Sequence, residues 1–221
     1  MKLEIYRLAH SPFCIAIERT LEALDVPFVR KEQNSADRGE LLRLTHGAYY
    51  EVPVLVDDGQ VIYETAGDSQ DIAEHIDVRY AEGRLFPQAS RGLQAILLHY
   101  LENEVEGVTF RLFDPFYVDS ISDVAERGMI VRHKERKFGK GCVQEWRERH
   151  DELVASAVKL LKPFDQALES SPFLLGEAPV YADFLLFGIL GNLTFGGFHE
   201  VPEELPRLRE FQQRIAGFRY P

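Results

Sequence analysis

The periodicity of apolar residues changes once along this chain, and that change restricts it to a sheet-and-helix unit followed by a helical one. Leu3, Ile5 and Leu8, with Tyr6 among them, read as a half-buried strand, and Ile15, Ile17, Leu21 and Leu24 form an apolar face at helical spacing. Val26-Pro27-Phe28-Val29 supplies a second strand, and Asp37 to Leu44 a short helical stretch that Thr45-His46-Gly47 breaks. Val52 to Val56 and Val61 to Tyr63 read as a hairpin, because Asp58-Gly59 between them favours a tight turn with positive φ. Ser69 to Tyr80 forms the last helix of this unit. Gly83 and Pro87 then interrupt the pattern. From Arg91 onward the pattern is helical, over about 91–108, 122–137, 143–169, 180–194 and 205–216. The expectation is an α/β domain over residues 1–80, a linker over 81–90 and an all-helical domain over 91–221.

Charge and cysteine content narrow the function classes. With 25 Lys and Arg against 36 Asp and Glu, the net charge of -11 argues against sequence-independent nucleic-acid binding and gives no grip on anionic membranes. No apolar run approaches the roughly 20 residues of a membrane span, and the first residues lack the apolar core of a signal peptide. Two cysteines, Cys14 and Cys142, are too few for a disulfide framework, so a reducing cytoplasm is the expected compartment. Neither a metal-ligand cluster nor an internal repeat stands out.

The junction of the first strand and helix, Ala9-His10-Ser11-Pro12-Phe13-Cys14, carries the first chemical signal. Ser11 is a favoured N-cap, and Pro12 suits the first helical position because it has no N–H to leave unpaired. First-turn N–H groups and the helix dipole put partial positive charge beside the Ser11 hydroxyl. A thiol bound there ionises more easily than in water. A capped helix with a buried Cys14 accounts for the same residues without any ligand.

Read together with Val52-Pro53-Val54-Leu55, with Asp68-Ser69 before Ile72-Ala73-Glu74-His75-Ile76, and with Tyr181-Ala182-Asp183-Phe184, this stretch resembles the glutathione transferase family. The segments stand in family order over nearly the whole chain. The resemblance implies a thioredoxin-like N-terminal domain that binds glutathione as co-substrate, an all-helical C-terminal domain that receives an apolar electrophile, and a homodimer. It implies a detoxifying transfer without a metal, in which Ser11 stabilises the glutathione thiolate beside Phe13. It further implies that Val52, before a cis Pro53, pairs through its main chain with the cysteinyl unit. Asp68 and Ser69 would answer the γ-glutamyl ammonium and carboxylate, with Glu64-Thr65 as a competing alignment.

Where many relatives carry Asn-Pro and a basic residue, this chain has His46-Gly47-Ala48-Tyr49-Tyr50-Glu51, so His46 or Arg43 is left for the glycyl carboxylate. Cys14 matches the second position of a Cys-x-x-Cys pair whose first member is absent, which leaves a thiol transferase or dehydroascorbate reductase using Cys14 as an alternative. A non-catalytic ligand carrier is a second one. Phe110, Phe113, Phe116 and Tyr117 are candidates for the electrophile pocket, with Phe113-Asp114-Pro115-Phe116-Tyr117 read as a loop because of its Pro and Asp. Asp183 is read as serving the start of its helix, where Val180 at the cap position cannot bond through its side chain. Pro179 to Phe184 and Phe138 to Cys142 most resemble the bacterial and fungal etherase-like branch.

Overall fold

The computed structural model describes residues 2–66 and 70–221; Asp68 and Ser69 lie outside the described residues. Strands β1 (Leu3–Arg7), β2 (Val29–Glu32), β3 (Val54–Asp57) and β4 (Gln60–Ile62) form one sheet in the order β2-β1-β3-β4. β1 pairs parallel with β2 and antiparallel with β3, and β3 pairs antiparallel with β4. Helices α1 (Pro12–Ala23), α2 (Gly39–Leu44) and α3 (Asp71–Ile76) complete this thioredoxin-like unit.

β1 is buried on both faces rather than one. Leu3 and Ile5 join Leu55 in the main core beneath α1, while Tyr6 packs with Leu41 and Val54 on the side covered by α2. The second strand starts later than its apolar run, at Val29. Pro27 has no N–H to give to a ladder, and pairing begins where Val29 meets Glu4. Val26 and Phe28 instead pack against the core from the connection. The turn between β3 and β4 has positive φ at both Asp58 (48°) and Gly59 (92°), as a two-residue hairpin requires.

The remaining helices are α4 (Arg91–Tyr100), α5 (Glu106–Ser120), α6 (Val124–Phe138), α7 (Cys142–Glu148), α8 (His150–Ala167), α9 (Tyr181–Leu193) and α10 (Pro206–Gly217). Single π-turns at Asp77–Ala81 and Leu101–Val105 extend α3 and join α4 to α5. The expected break near residue 108 is absent, and Phe113-Asp114-Pro115-Phe116-Tyr117 lies inside α5 rather than in a loop. A proline inside a helix costs about 3 kcal/mol. Burial of Leu112, Phe113 and Val118, each contributing about 1.5–3 kcal/mol, more than offsets it. The stretch expected as one helix from 143 divides at Arg149 into α7 and α8.

The two halves meet mainly where α1 crosses α9. α9 is buried along nearly its whole length, and its glycines permit the approach. A Cβ on Gly188 would lie 2.1 Å from the Pro12 carbonyl oxygen and 3.0 Å from Ala16 Cβ. At the start of α9, Asp183 accepts from the N–H groups of Leu174 (2.8 Å) and Val180 (2.9 Å), and burial pushes its carboxyl up to about 7. No helix among the described residues is long and apolar enough to cross a membrane.

Candidate active site

A cleft of about 570 Å³ opens between the two halves, with Ser11, Pro12, Phe13 and Val52 on one side and residues of α5 and α6 on the other. Ser11 is the N-cap of α1 with extended backbone geometry (φ -66°, ψ 126°), and its Oγ accepts from the Cys14 N–H at 3.4 Å. A hydroxyl that accepts this bond still has its own proton to donate. Pro12 leaves no orphan donor there, and α1 has no acidic residue in its first turn to compete with a bound anion.

Cys14 sits one turn deeper. It is fully buried, it is not part of the cleft lining, and burial pushes its thiol up to about 12. The Val52-Pro53 peptide bond is cis, and Val52 faces the cleft. Glu64 and Thr65, the competing alignment for the γ-glutamyl end, are engaged with the start of α3. The Glu64 carboxylate accepts from the Asp71 and Ile72 N–H groups (2.8 and 3.3 Å), and Thr65 donates to Asp71 through its N–H (2.7 Å) and hydroxyl (2.6 Å).

His46 follows α2 in a left-handed conformation (φ 53°), exposed and away from the cleft lining, and Arg43 is exposed as well. The cation that does line the cleft on this side is Arg38, at the N-cap of α2. Its Nη1 is buried with no hydrogen-bond partner among the described residues, and burial pulls its guanidinium below the ordinary value. An orphaned guanidinium nitrogen beside a cleft is suited to a carboxylate. No motif marks Arg38 in the sequence.

Of the four aromatic candidates, Phe110 lines the cleft. Phe113 is buried and Tyr117 half-buried behind it, packed on His10 with ring centroids 5.5 and 4.1 Å away. The Tyr117 and Ser35 hydroxyls lie within hydrogen-bond distance, at 2.8 Å. Phe116 points elsewhere, against Phe198 and His199. His10 itself lines the cleft, and burial together with the positive field of Lys134, Arg38 and Arg7 pushes its imidazole down to about 4. Its carbonyl accepts from Asn192 Nδ2 of α9 at 2.6 Å, so the second half of the chain holds the Ser11 turn directly. Asn192, which also lines the cleft, carried no signal in the sequence.

Residues 5–84 match the glutathione S-transferase N-terminal domain, and residues 136–218 match the C-terminal domain, together about three quarters of the chain. The chain belongs to the glutathione S-transferase family. Its fold resembles that of a glutathione transferase from Phanerochaete chrysosporium (TM-score 0.81, 15% identity), over 100% of this chain and 98% of that one. A glutathione S-transferase of Ceriporiopsis subvermispora, solved in complex with glutathione, matches over 96% and 97% of the two chains (TM-score 0.79, 15% identity). Glutaredoxin 2 from Salmonella typhimurium, also with glutathione, matches over 97% and 94% (TM-score 0.72, 23% identity).

Proposed function

We propose that this glutathione transferase binds glutathione along the Ser11 side of the cleft and that the Ser11 hydroxyl stabilises its thiolate for attack on a carbon electrophile. The observation that carries this reading is the contrast between two neighbouring residues: Ser11 caps α1 and lines the cleft, while Cys14 is sealed beneath it as a thiol. Ser11 donates to the sulfur, the first-turn N–H groups of α1 add partial positive charge, and Phe13 and Val52 position the cysteinyl unit. Arg38 receives the glycyl carboxylate in place of the expected His46. Asp68 and Ser69 are the residues proposed to take the γ-glutamyl end. Each bond to the ionised sulfur lowers its pKa, at about 1.4 kcal/mol per unit.

The assembly proposed is a homodimer. Val78, Leu93 and Ile96 are large apolar side chains left 85%, 55% and 68% exposed, Val78 on the extension of α3 and the others one turn apart on α4. Two unpaired cysteines support a reducing, cytoplasmic setting.

The test is a pair of substitutions assayed for glutathione conjugation to an aryl halide. Ser11→Ala is expected to lower kcat/KM about 10²-fold, as loss of a charge-stabilising donor does. Cys14→Ala is expected to retain most activity. The reverse ranking, or a mixed disulfide at Cys14 that is required for turnover, assigns the chemistry to the thiol and overturns the reading.

A further inference from the structure

The half of the cleft facing Ser11 has a charge opposite to that of the protein as a whole. The chain carries a net charge of -11, yet Arg111 on α5 and Lys134, Arg136 and Lys137 on α6 all line this space. These cations surround an aromatic floor. Arg111 lies 5.6 Å from the Phe110 ring centroid and 5.8 Å from that of Phe138, and Lys137 lies 5.6 Å from Phe138. The two rings pack on each other at 5.2 Å and are backed by Trp146 at 5.5 and 5.4 Å.

The acids lining the same cleft do not cancel this charge. Asp114 and Lys134 neutralise each other as an ion pair, and burial pushes the Glu106 carboxyl up to about 7; Glu102, which accepts from Gln70 at 2.5 Å, and Glu51 at the Val52 side keep their charges but are outnumbered by Arg111, Arg136, Lys137 and Arg38. Among the described residues no carboxylate pairs with Arg111 or Lys137, and Arg111 Nε is buried without a partner. His133, on the same wall, is held below its ordinary pKa by burial and then by Lys134, Lys137, Arg136 and Arg38, so the local field is positive. A buried donor without a partner is destabilising, and a ligand anion that satisfies it recovers that cost.

We propose that the α5/α6 wall selects an aromatic electrophile that carries its own anionic group, a carboxylate or sulfonate, with the charge at Arg111 and Lys137 and the ring against Phe110 and Phe138. This rests on the glutathione transferase reading and names the class of its second substrate. With an aryl halide, the sulfur forms a bond to the ring carbon bearing the halogen, the carbon–halogen electron pair leaves as halide, and the thiol proton passes to solvent. No oxidant or reductant enters.

Two measurements separate this proposal from the reading beneath it. The first is quenching of Trp146, the single tryptophan of the chain, by 3,5-dinitrobenzoate and by the isosteric 3,5-dinitrobenzamide, without glutathione and with glutathione at saturation. The acid is expected to bind about tenfold more tightly than the amide and more weakly in high salt, and to keep that affinity when glutathione is present. The second is the ratio of kcat/KM for 4-chloro-3,5-dinitrobenzoate and its amide, in the parent and in Arg111→Gln and Lys137→Gln. Each substitution is expected to lower that ratio severalfold; Lys137, the more exposed of the two, tests the idea even if Arg111→Gln fails to fold.

Equal binding of acid and amide overturns the proposal, and so does competitive displacement of the acid by glutathione, which would assign these cations to glutathione itself. Tight, salt-sensitive binding of the acid in a protein that binds no glutathione would keep the anionic wall and remove the transferase reading.

Discussion

Gly188→Ala tests how the second half of the chain sets the position of Ser11. In an unconstrained helix this substitution stabilises by about 1 kcal/mol, because alanine has the higher helix propensity. At Gly188 the new Cβ would lie 2.1 Å from the Pro12 carbonyl oxygen and 3.0 Å from both Ala16 Cβ and its backbone nitrogen. Even a close C–H···O contact needs about 3.3 Å, so α1 and α9 must part by roughly 1 Å at a residue adjacent to Ser11. Overpacking of this kind costs about 1–3 kcal/mol, and here backbone rather than a flexible side-chain end must move.

The net expectation is a loss of up to about 2 kcal/mol, which for a chain of this size lowers Tm by up to roughly 8 °C. A 1 Å misplacement of a positioning group can also cost about 10² in rate, so conjugation should fall more than stability does. Differential scanning calorimetry and steady-state kinetics read both quantities. Gly128→Ala in α6 is the control, since its Cβ meets nothing within 4 Å, and it should leave Tm unchanged or raise it. A Gly188→Ala protein with raised Tm and parental kcat/KM would refute the argument that this crossing fixes the Ser11 turn.

Three further outcomes are expected. Arg38→Gln should weaken glutathione binding about tenfold by isothermal titration, as loss of a charge-assisted bond does, while His46→Gln should leave it unchanged; the opposite pattern returns the glycyl end to His46. His10 is held at about 4 by burial and neighbouring cations, against about 6.5 when solvated, so between those values the unfolded chain binds a proton that the folded chain excludes. Stability therefore falls as pH drops from about 6.5 to 4, and His10→Gln should flatten that part of the Tm–pH curve. Light scattering at micromolar concentration should give about twice 25.3 kDa, and Leu93→Glu together with Ile96→Glu should reduce it to one chain.

What the sequence made legible was local. Ser11-Pro12 announces a helix start because capping is settled by adjacent residues, and the structure has that cap. Asp58-Gly59 gives the hairpin for the same reason, and Asp183 three residues after Val180 gives the start of α9. Pro115 shows where local signals mislead. Its chemistry argues for a loop, but Phe113, Leu112 and Val118 gain more by burial than the helix loses at the proline. Arg38 and Arg111 were silent because an orphaned guanidinium is defined by what surrounds it in space. One lies at the α2 N-cap and the other on α5, far apart in sequence and on the walls of one cleft.

α9 joins these local and distant effects. It is an almost wholly apolar helix, with Asp183 at its start tying it to Leu174 and Val180, and Asn192 near its end donating to the His10 carbonyl. Between those two polar anchors, Gly188 and Gly191 bring it against Pro12, Ile15 and Ala16 of α1. A side chain at Gly188 would push α1 away, one at Gly191 would press on the Ile15 side chain, and without Asn192 the residue before Ser11 would lose its bond to the second half of the chain. The Ser11 turn is therefore encoded twice, once by its own capping residues and once by a helix about 180 positions later. For that reason the thioredoxin-like half alone should cap α1 correctly yet leave Ser11 without the wall it faces.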